Sequence, residues 1–223
     1  MAHCRVRDVL TMNTHTNATA DPQPDPIRDL RRDAIVEHAR QAFMSGGYAA
    51  TRMEPIARAA GVSTATLYGY FHSKDELFDA VIADASDEFA ERMCRVGASE
   101  GSAETRLTAF AEAYAGFMGD PFVRSVFRLV MAERPRFRDV AMAFFERGRT
   151  DFGGPLVRLL TELTIGGELR VDKPSWAAGQ LMGMIEHPVF FMPLVTGDEV
   201  HAARTERQIA DDAVRTFLAR YAG

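Results

Sequence analysis

The chain has 223 residues, 47% of them hydrophobic, which is enough for one large domain or two small ones with real cores. A formal net charge of −5 argues against a protein that coats nucleic acid indiscriminately, while leaving room for a small basic face. Two cysteines, Cys4 and Cys94, exclude a disulfide framework and fit a reducing cytoplasm, where we expect the protein to act.

Residues 1–25 mix Thr, Asn, Asp and Pro with few large apolar side chains. Such a segment cannot bury enough surface to offset its ordering entropy, so a disordered tail is expected. Arg5 and Arg7 are followed by no apolar run longer than Val9-Leu10, so no secretory leader is legible. The longest apolar stretch, 188–195, is too short to cross a bilayer, and no membrane partner is expected.

Asp25-Pro26 predicts a helix start, and Ile27, Leu30, Ile35, Ala39, Ala42 and Phe43 recur at helical spacing until Gly46-Gly47. Thr51 and Glu54 have capping-box spacing, and Pro55 is tolerated in a first turn. A short helix through Ile56, Ala57 and Ala60 then meets Gly61, which supplies a turn, with Val62 turned into the core. Ser63 is placed to cap a second short helix with Leu67 and Phe71 facing inward. Ser73 and Glu76 repeat the capping-box spacing before a longer helix through Phe78, Val81, Ile82 and Phe89. Small residues cluster where the two short helices should cross: Ala57, Ala59, Ala60, Gly61 and Ala65. Two short helices joined by a tight glycine turn form a helix-turn-helix, whose second helix enters a DNA major groove. Here that helix presents Thr64, Ala65, Thr66, Tyr68 and Tyr70, and carries no charge between Ser63 and Tyr70.

From Ser102 onward the pattern becomes long apolar helices: 103–118, one started by Asp120-Pro121, and one restarted by Pro135. The last of these loosens near Gly148 and Gly153-Gly154 and stops at Gly166-Gly167. Asp172 is expected to cap a helix to about Glu186, stopped by Pro188, and a last helix spans roughly 202–221. The fold class is therefore all-α, with no strand pattern of any length.

The segment from Arg31 to Ala83 resembles the TetR family of regulators. The resemblance is carried by Ile35, Ala39 and Phe43, Gly47-Tyr48, Thr51, Ile56-Ala57, Ala60-Gly61-Val62-Ser63, Leu67-Tyr68, Phe71 and Ser73-Lys74-Asp75-Glu76-Leu77. Further on, Phe127 to Glu133, Pro135-Arg136-Phe137, Phe144 to Gly148 and Gly167 to Arg170 resemble the AefR-type ligand domain. The resemblance implies an N-terminal three-helix DNA-binding domain at 29–89 and a helical ligand-binding and dimerisation domain at 90–223. It also implies a homodimer on a palindromic double-stranded operator. Arg52 departs from the Ser or Thr frequent in the family, adding a cation, and Thr66 departs from a frequent glycine.

The resulting DNA-contact candidates are Thr51, Arg52 and Lys74 for phosphate, with Tyr68 and Tyr70 beside them, and Ser63, Thr64, Ala65 and Thr66 for base edges. Thr51 and Ser63 read equally as caps, and Tyr68 equally as core. Pocket candidates are Phe110, Tyr114, Phe117, Met118, Phe127, Met131, Phe145 and Trp176, which suit a small apolar or aromatic effector. Glu186 or His187 is a candidate polar anchor. Trp176, Gln180, Met184 and the last helix are candidates for the dimer face. No cofactor or metal is expected, because no Glu-x-x-His pair, phosphate-binding glycine loop or nucleophile–base motif occurs. A helical-bundle enzyme and an architectural DNA-binding protein are the readings left beside a regulator, which would be a repressor or an activator.

Overall fold

A computed structural model describes residues 26–94 and 100–223, with side chains described at 30–90 and 100–223. The tail proposed at 1–25, with Arg5 and Arg7, and both cysteine side chains lie outside the described residues. Helix α1 (Pro26–Ala50) is broken near its end by Gly47, whose φ of 72° is open to glycine. Its buried face is Ile35, Val36, Ala39 and Phe43; Leu30, counted with them from its spacing, is exposed. Next come α2 (Met53–Ala59), α3 (Thr64–Tyr70) and α4 (Lys74–Cys94).

The turn between α2 and α3 is a helix stop in which two orphan carbonyls are satisfied. The Val62 amide donates to Ala57 and the Gly61 amide to Arg58, with Gly61 at φ 68°. Val62 is half-buried against the core. Ile56, Ala57, Leu67 and Phe71 are buried as the periodicity implies. The small-residue crossing is narrower than expected: Ala59, Gly61 and Ala65 are exposed, so Ala57, with half-buried Ala60, carries the close approach.

The remaining helices are α5 (Ala103–Met118), α6 (Pro121–Glu133), α7 (Arg138–Gly148), α8 (Gly154–Ile165), α9 (Pro174–Glu186), α10 (Met192–Thr196) and α11 (Glu206–Tyr221). Ser102 and Asp120 cap α5 and α6 with their side chains. The loosening between Gly148 and Gly154 is a π-helical turn, Arg149–Gly153, joining α7 to α8 without a break. A second π-helical turn, His187–Phe191, carries α9 through Pro188 into α10, so the proline does not stop the helix. Inside a continuing helix a proline removes one amide from the ladder and crowds the preceding turn, and the wider π-helical turn takes up that disruption. Asp172 does not cap α9; Lys173 occupies the cap position and makes no side-chain cap bond. The last helix starts four residues later than expected, at a capping box between Thr205 and Gln208. Among the described residues there is no strand, only one antiparallel bridge between Leu169 and Ala222. No helix there is long and apolar enough to cross a membrane.

α4 positions the site. Its 21 residues extend about 30 Å. Leu77, Phe78 and Val81 near its start are buried, Phe78 against Phe43 and Tyr48 of α1, while Ser86 and Phe89 face the C-terminal helices. Arg40 ties α1 to α4 through Glu88 at 2.8 Å.

Elsewhere in the body, Arg124 is buried and donates to the Gly119 carbonyl at 2.5 Å and to Asp198 at 2.7 Å; Asp198 also pairs with Arg128 at 3.1 Å. Burial pushes the Asp198 carboxyl up, but bonds and charge from Arg124 and Arg128 outweigh it and hold it below the ordinary range. A depressed carboxylate lends stability that is complete above its unfolded pKa, about 4, and is lost as pH falls through the folded value. We expect the difference in Tm between wild type and Asp198→Asn to be full at pH 7 and to shrink progressively as pH falls below about 4. A gap independent of pH would show that the ion pairs do not produce it.

Candidate nucleic-acid interface and cavity

Thr51 is only 9% exposed. Its hydroxyl donates to the Gly47 carbonyl at 2.7 Å and to Ala42 at 3.1 Å. The Thr51–Glu54 capping box is not formed: Arg52 occupies the cap position of α2 and makes no side-chain cap bond. The hydroxyl is drawn inward because the chain after Gly47 leaves the α1 carbonyls without helical donors. Thr51 therefore staples α1 to α2, and its hydroxyl is not turned toward a ligand.

Ser63 caps α3, accepting from the Thr66 amide at 3.0 Å, and its hydroxyl also bonds that of Thr66 at 2.8 Å. Around this cap, α3 exposes Ala65, Tyr68 and Gly69, with Thr64, Thr66 and Tyr70 half-exposed. Tyr68, at 43% exposure, is on the surface and not in the core. Arg52 and Arg58, on the preceding segment, are exposed. Ser73 caps α4 by accepting from the Glu76 amide at 3.1 Å, but Glu76 reaches one residue further back than a capping box requires, to the His72 amide at 2.7 Å.

Lys74 opens α4. Its ammonium lies 4.2 Å from the Tyr48 ring centroid and 3.3 Å from the Ala49 carbonyl. Burial, then the nearby Arg136 guanidinium, pulls its pKa down. Lys74 is thus partly engaged within the protein, with its cation held at the start of α4.

The Tyr48 ring belongs to a junction that spacing did not reveal. Its hydroxyl donates to Asp75, and Arg136, from the α6–α7 connection, donates to both Asp75 oxygens at 3.0 and 3.2 Å. Arg136 also lies over the Tyr48 ring at 4.7 Å. Phe137 is buried against Phe78 at 4.5 Å and Tyr48 at 4.9 Å. Burial, then the Asp75 carboxylate, raises the Tyr48 phenol to about 12. The Tyr48 hydrogen bond leads in holding the Asp75 carboxyl below its usual range. The signal was present, since Pro135-Arg136-Phe137 stands out in sequence, but nothing local names its partners.

Helices α4 to α9 and the first π-helical turn enclose a cavity of about 720 Å³. Of the pocket candidates, Tyr114, Met118, Phe127 and Phe145 line it. The other four do not. Phe110 lies one turn before Tyr114 and stacks on it at 5.7 Å, and Phe117 is buried against Phe89 and Phe152. Met131, near the end of α6, is half exposed. Trp176 is 68% exposed: Ser175, Ala178, Gly179, Met182 and Glu186 form the cavity face of α9, and Trp176 falls on another face of that helix. Glu186 lines the cavity and accepts from the Tyr114 hydroxyl, whereas His187 is exposed and stacks on Phe191. Spacing missed Ser86, Phe89, Phe144, Phe152, Phe190 and the Gly148, Gly153 and Gly154 wall. π-helical turns recur at functional sites. Among the described residues, no group of three or more His, Cys, Asp or Glu could hold a metal ion.

Residues 35–81 match the bacterial regulatory proteins of the tetR family, and residues 105–223 match the AefR-like transcriptional repressor C-terminal domain. The HTH-type transcriptional activator FasR of Mycolicibacterium smegmatis is 35% identical over 91 residues, 41% of this chain and 42% of FasR. The HTH-type transcriptional repressor ComR of Escherichia coli is 34% identical over 85 residues, 38% of this chain and 40% of ComR. Each match spans less than half the length of the curated relative. A solved TetR-family regulator from Mesorhizobium loti superposes with a TM-score of 0.74 at 25% identity, covering 89% of this chain and 100% of that one. The Flavonoid-responsive Regulator FrrA superposes with a TM-score of 0.68 at 28% identity, covering 86% and 97%. The C-terminal match alone takes in more than half of the chain, the N-terminal match takes in the helix-turn-helix, and the protein belongs to the TetR family of transcriptional regulators, which are not enzymes.

Proposed function

We propose that the protein acts in the cytoplasm as a ligand-responsive repressor that binds a palindromic operator as a homodimer and is released by a small, largely apolar effector. The observation that carries the DNA reading is the exposed α3 face, uncharged from Ser63 to Tyr70 and flanked in sequence by Arg52, Arg58 and Lys74. Short hydroxyls and methyls let a helix lie deep in a major groove, and flanking cations hold the phosphates. Thr64, Ala65, Thr66 and Tyr68 read bases or sugar edges; Ser63, Tyr70 and the α2 start, through Arg52, frame them. Residues 29–89 make up the reading unit and 90–223 the sensing and pairing unit.

A two-fold operator calls for a two-fold protein, with reading helices about 34–36 Å apart. Exposed Trp176 and Gln180 on α9, and the groove lined by Met184, Pro188, Ile209 and Ala213 together with Arg204, Asp212 and Thr216, offer a mixed apolar and polar face for a second copy. The cavity supports the effector reading, and FrrA, described as flavonoid-responsive, supports an aromatic one. The match to AefR-like repressors favours repression, whereas FasR is an activator.

Footprinting on the DNA upstream of its own gene at low salt tests the reading. Protection of a palindrome is expected, and no protection there or in duplexes selected from random sequence removes it. Transcription from the protected promoter decides the sign. Arg52→Ala and Lys74→Ala should each weaken binding to operator and random DNA alike, and each should flatten the log–log salt slope by about one unit. An unchanged slope for either variant takes that cation off the phosphate backbone.

A further inference from the structure

We propose that the effector enters the cavity with a hydrogen-bond donor leading: an aromatic molecule whose inward end carries a hydroxyl or an amine, not a carboxylate. This rests on the reading of the cavity as the effector site. It comes from counting which interior polar atoms still have something to offer. Tyr114, 2% exposed, gives its one proton to Glu186, so its oxygen remains only as an acceptor. Ser86, 5% exposed, gives its proton to the Ile82 carbonyl at 2.8 Å and is likewise left as an acceptor. Glu186 is half-buried and carries more acceptor positions than Tyr114 occupies. The surrounding walls are helices, whose amides are spent in their own ladders.

The donors of the lining are exposed or already paired. Arg149 and Arg158 are exposed, as is Ser175 in the first turn of α9. Arg147 is paired with Asp87 and lies 4.0 Å from Asp151, and Arg149 is paired with Glu146 at 2.8 Å. No cation among the described residues pairs with Glu186. A carboxylate driven inward would meet Glu186 as a like charge in an apolar wall and leave two buried oxygens without donors, which is costly. A hydroxyl or ammonium there completes the acceptors instead, while Phe127, Phe144 and Phe152 take the ring. The Tyr114 phenol is held well above its ordinary pKa by burial and by the Glu186 charge, so it keeps the proton it donates.

Three probes of one skeleton test this by calorimetry on the full chain: biphenyl-4-methanol, biphenyl-4-methylamine and biphenyl-4-carboxylate. We expect the alcohol and the amine to bind at least tenfold more tightly than the carboxylate. Glu186→Gln, which keeps shape and removes charge, should shrink the amine's margin severalfold and the alcohol's less. A carboxylate that binds as tightly as the other two to wild type overturns the proposal, and needs no variant to do so. Gly179→Phe, placed on the cavity wall where a Cβ meets nothing within 4 Å, should block all three. Binding unaffected by that block removes the cavity from the argument and the proposal with it. The expected order without any loss of operator affinity supports the ligand class and removes only the effector reading.

Discussion

Ala65→Glu should abolish operator binding, with a loss of at least about a hundredfold, and leave the fold intact. Ala65 is exposed at the start of α3, in the stretch that carries no charge. A carboxylate there would be pressed against phosphates and base acceptors in a groove too narrow to solvate it. Its effect on stability should be small, because a surface substitution on a helix typically moves stability by no more than about 0.5 kcal/mol. Gel shifts at several salt concentrations and a thermal melt measure the two quantities separately. Operator affinity within about threefold of wild type would take α3 out of the groove.

Phe137→Ala should cost about 3–5 kcal/mol, the range for truncating a buried phenylalanine. In a chain of this length that is a fall in Tm on the order of 10 °C. Phe137 sits against Tyr48 and Phe78 of the DNA-binding end and occupies the cap position of α7, whose Phe144, Phe145 and Gly148 line the cavity. Its removal leaves a hole between α1, α4 and the α6–α7 connection. The same substitution should separate effector binding from DNA release: at a temperature where both units remain folded, an effector should bind with its wild-type affinity and no longer shift operator affinity. Coupling between sites requires an element that both sites bias, and this junction joins the cavity wall to α4. Phe137→Leu, which keeps most of the volume, should restore part of both properties. A Phe137→Ala protein with full effector response would place the coupling elsewhere.

Much of the reading unit was legible because its signals are local. Gly61 supplies the positive φ of the turn, Ser63 caps through the Thr66 amide, and Ile56, Leu67 and Phe71 stand at positions that turn them into the core. The body was legible as helices but not as a site. Spacing marks Phe110, Tyr114 and Phe117 alike as apolar, and does not say that Tyr114 faces a void while the other two face neighbours. Trp176 was misplaced for the same reason, since a large apolar residue on a helix is equally suited to a pocket and to an exposed face.

What the sequence by itself determined is the all-α class, the order of the main helices and the uncharged second helix of the helix-turn-helix with basic residues on either side in sequence. All of these follow from contacts within a few residues along the chain. The tertiary structure alone decided the rest. Thr51 turns inward because carbonyls of Ala42 and Gly47 lie within reach across a kink. Pro188 continues a helix because a π-helical turn absorbs it. The cavity, its acceptor-lined interior and the Arg136–Asp75–Tyr48 junction bring together residues from 27 to 100 positions apart or more, and no periodicity encodes a partner at that separation.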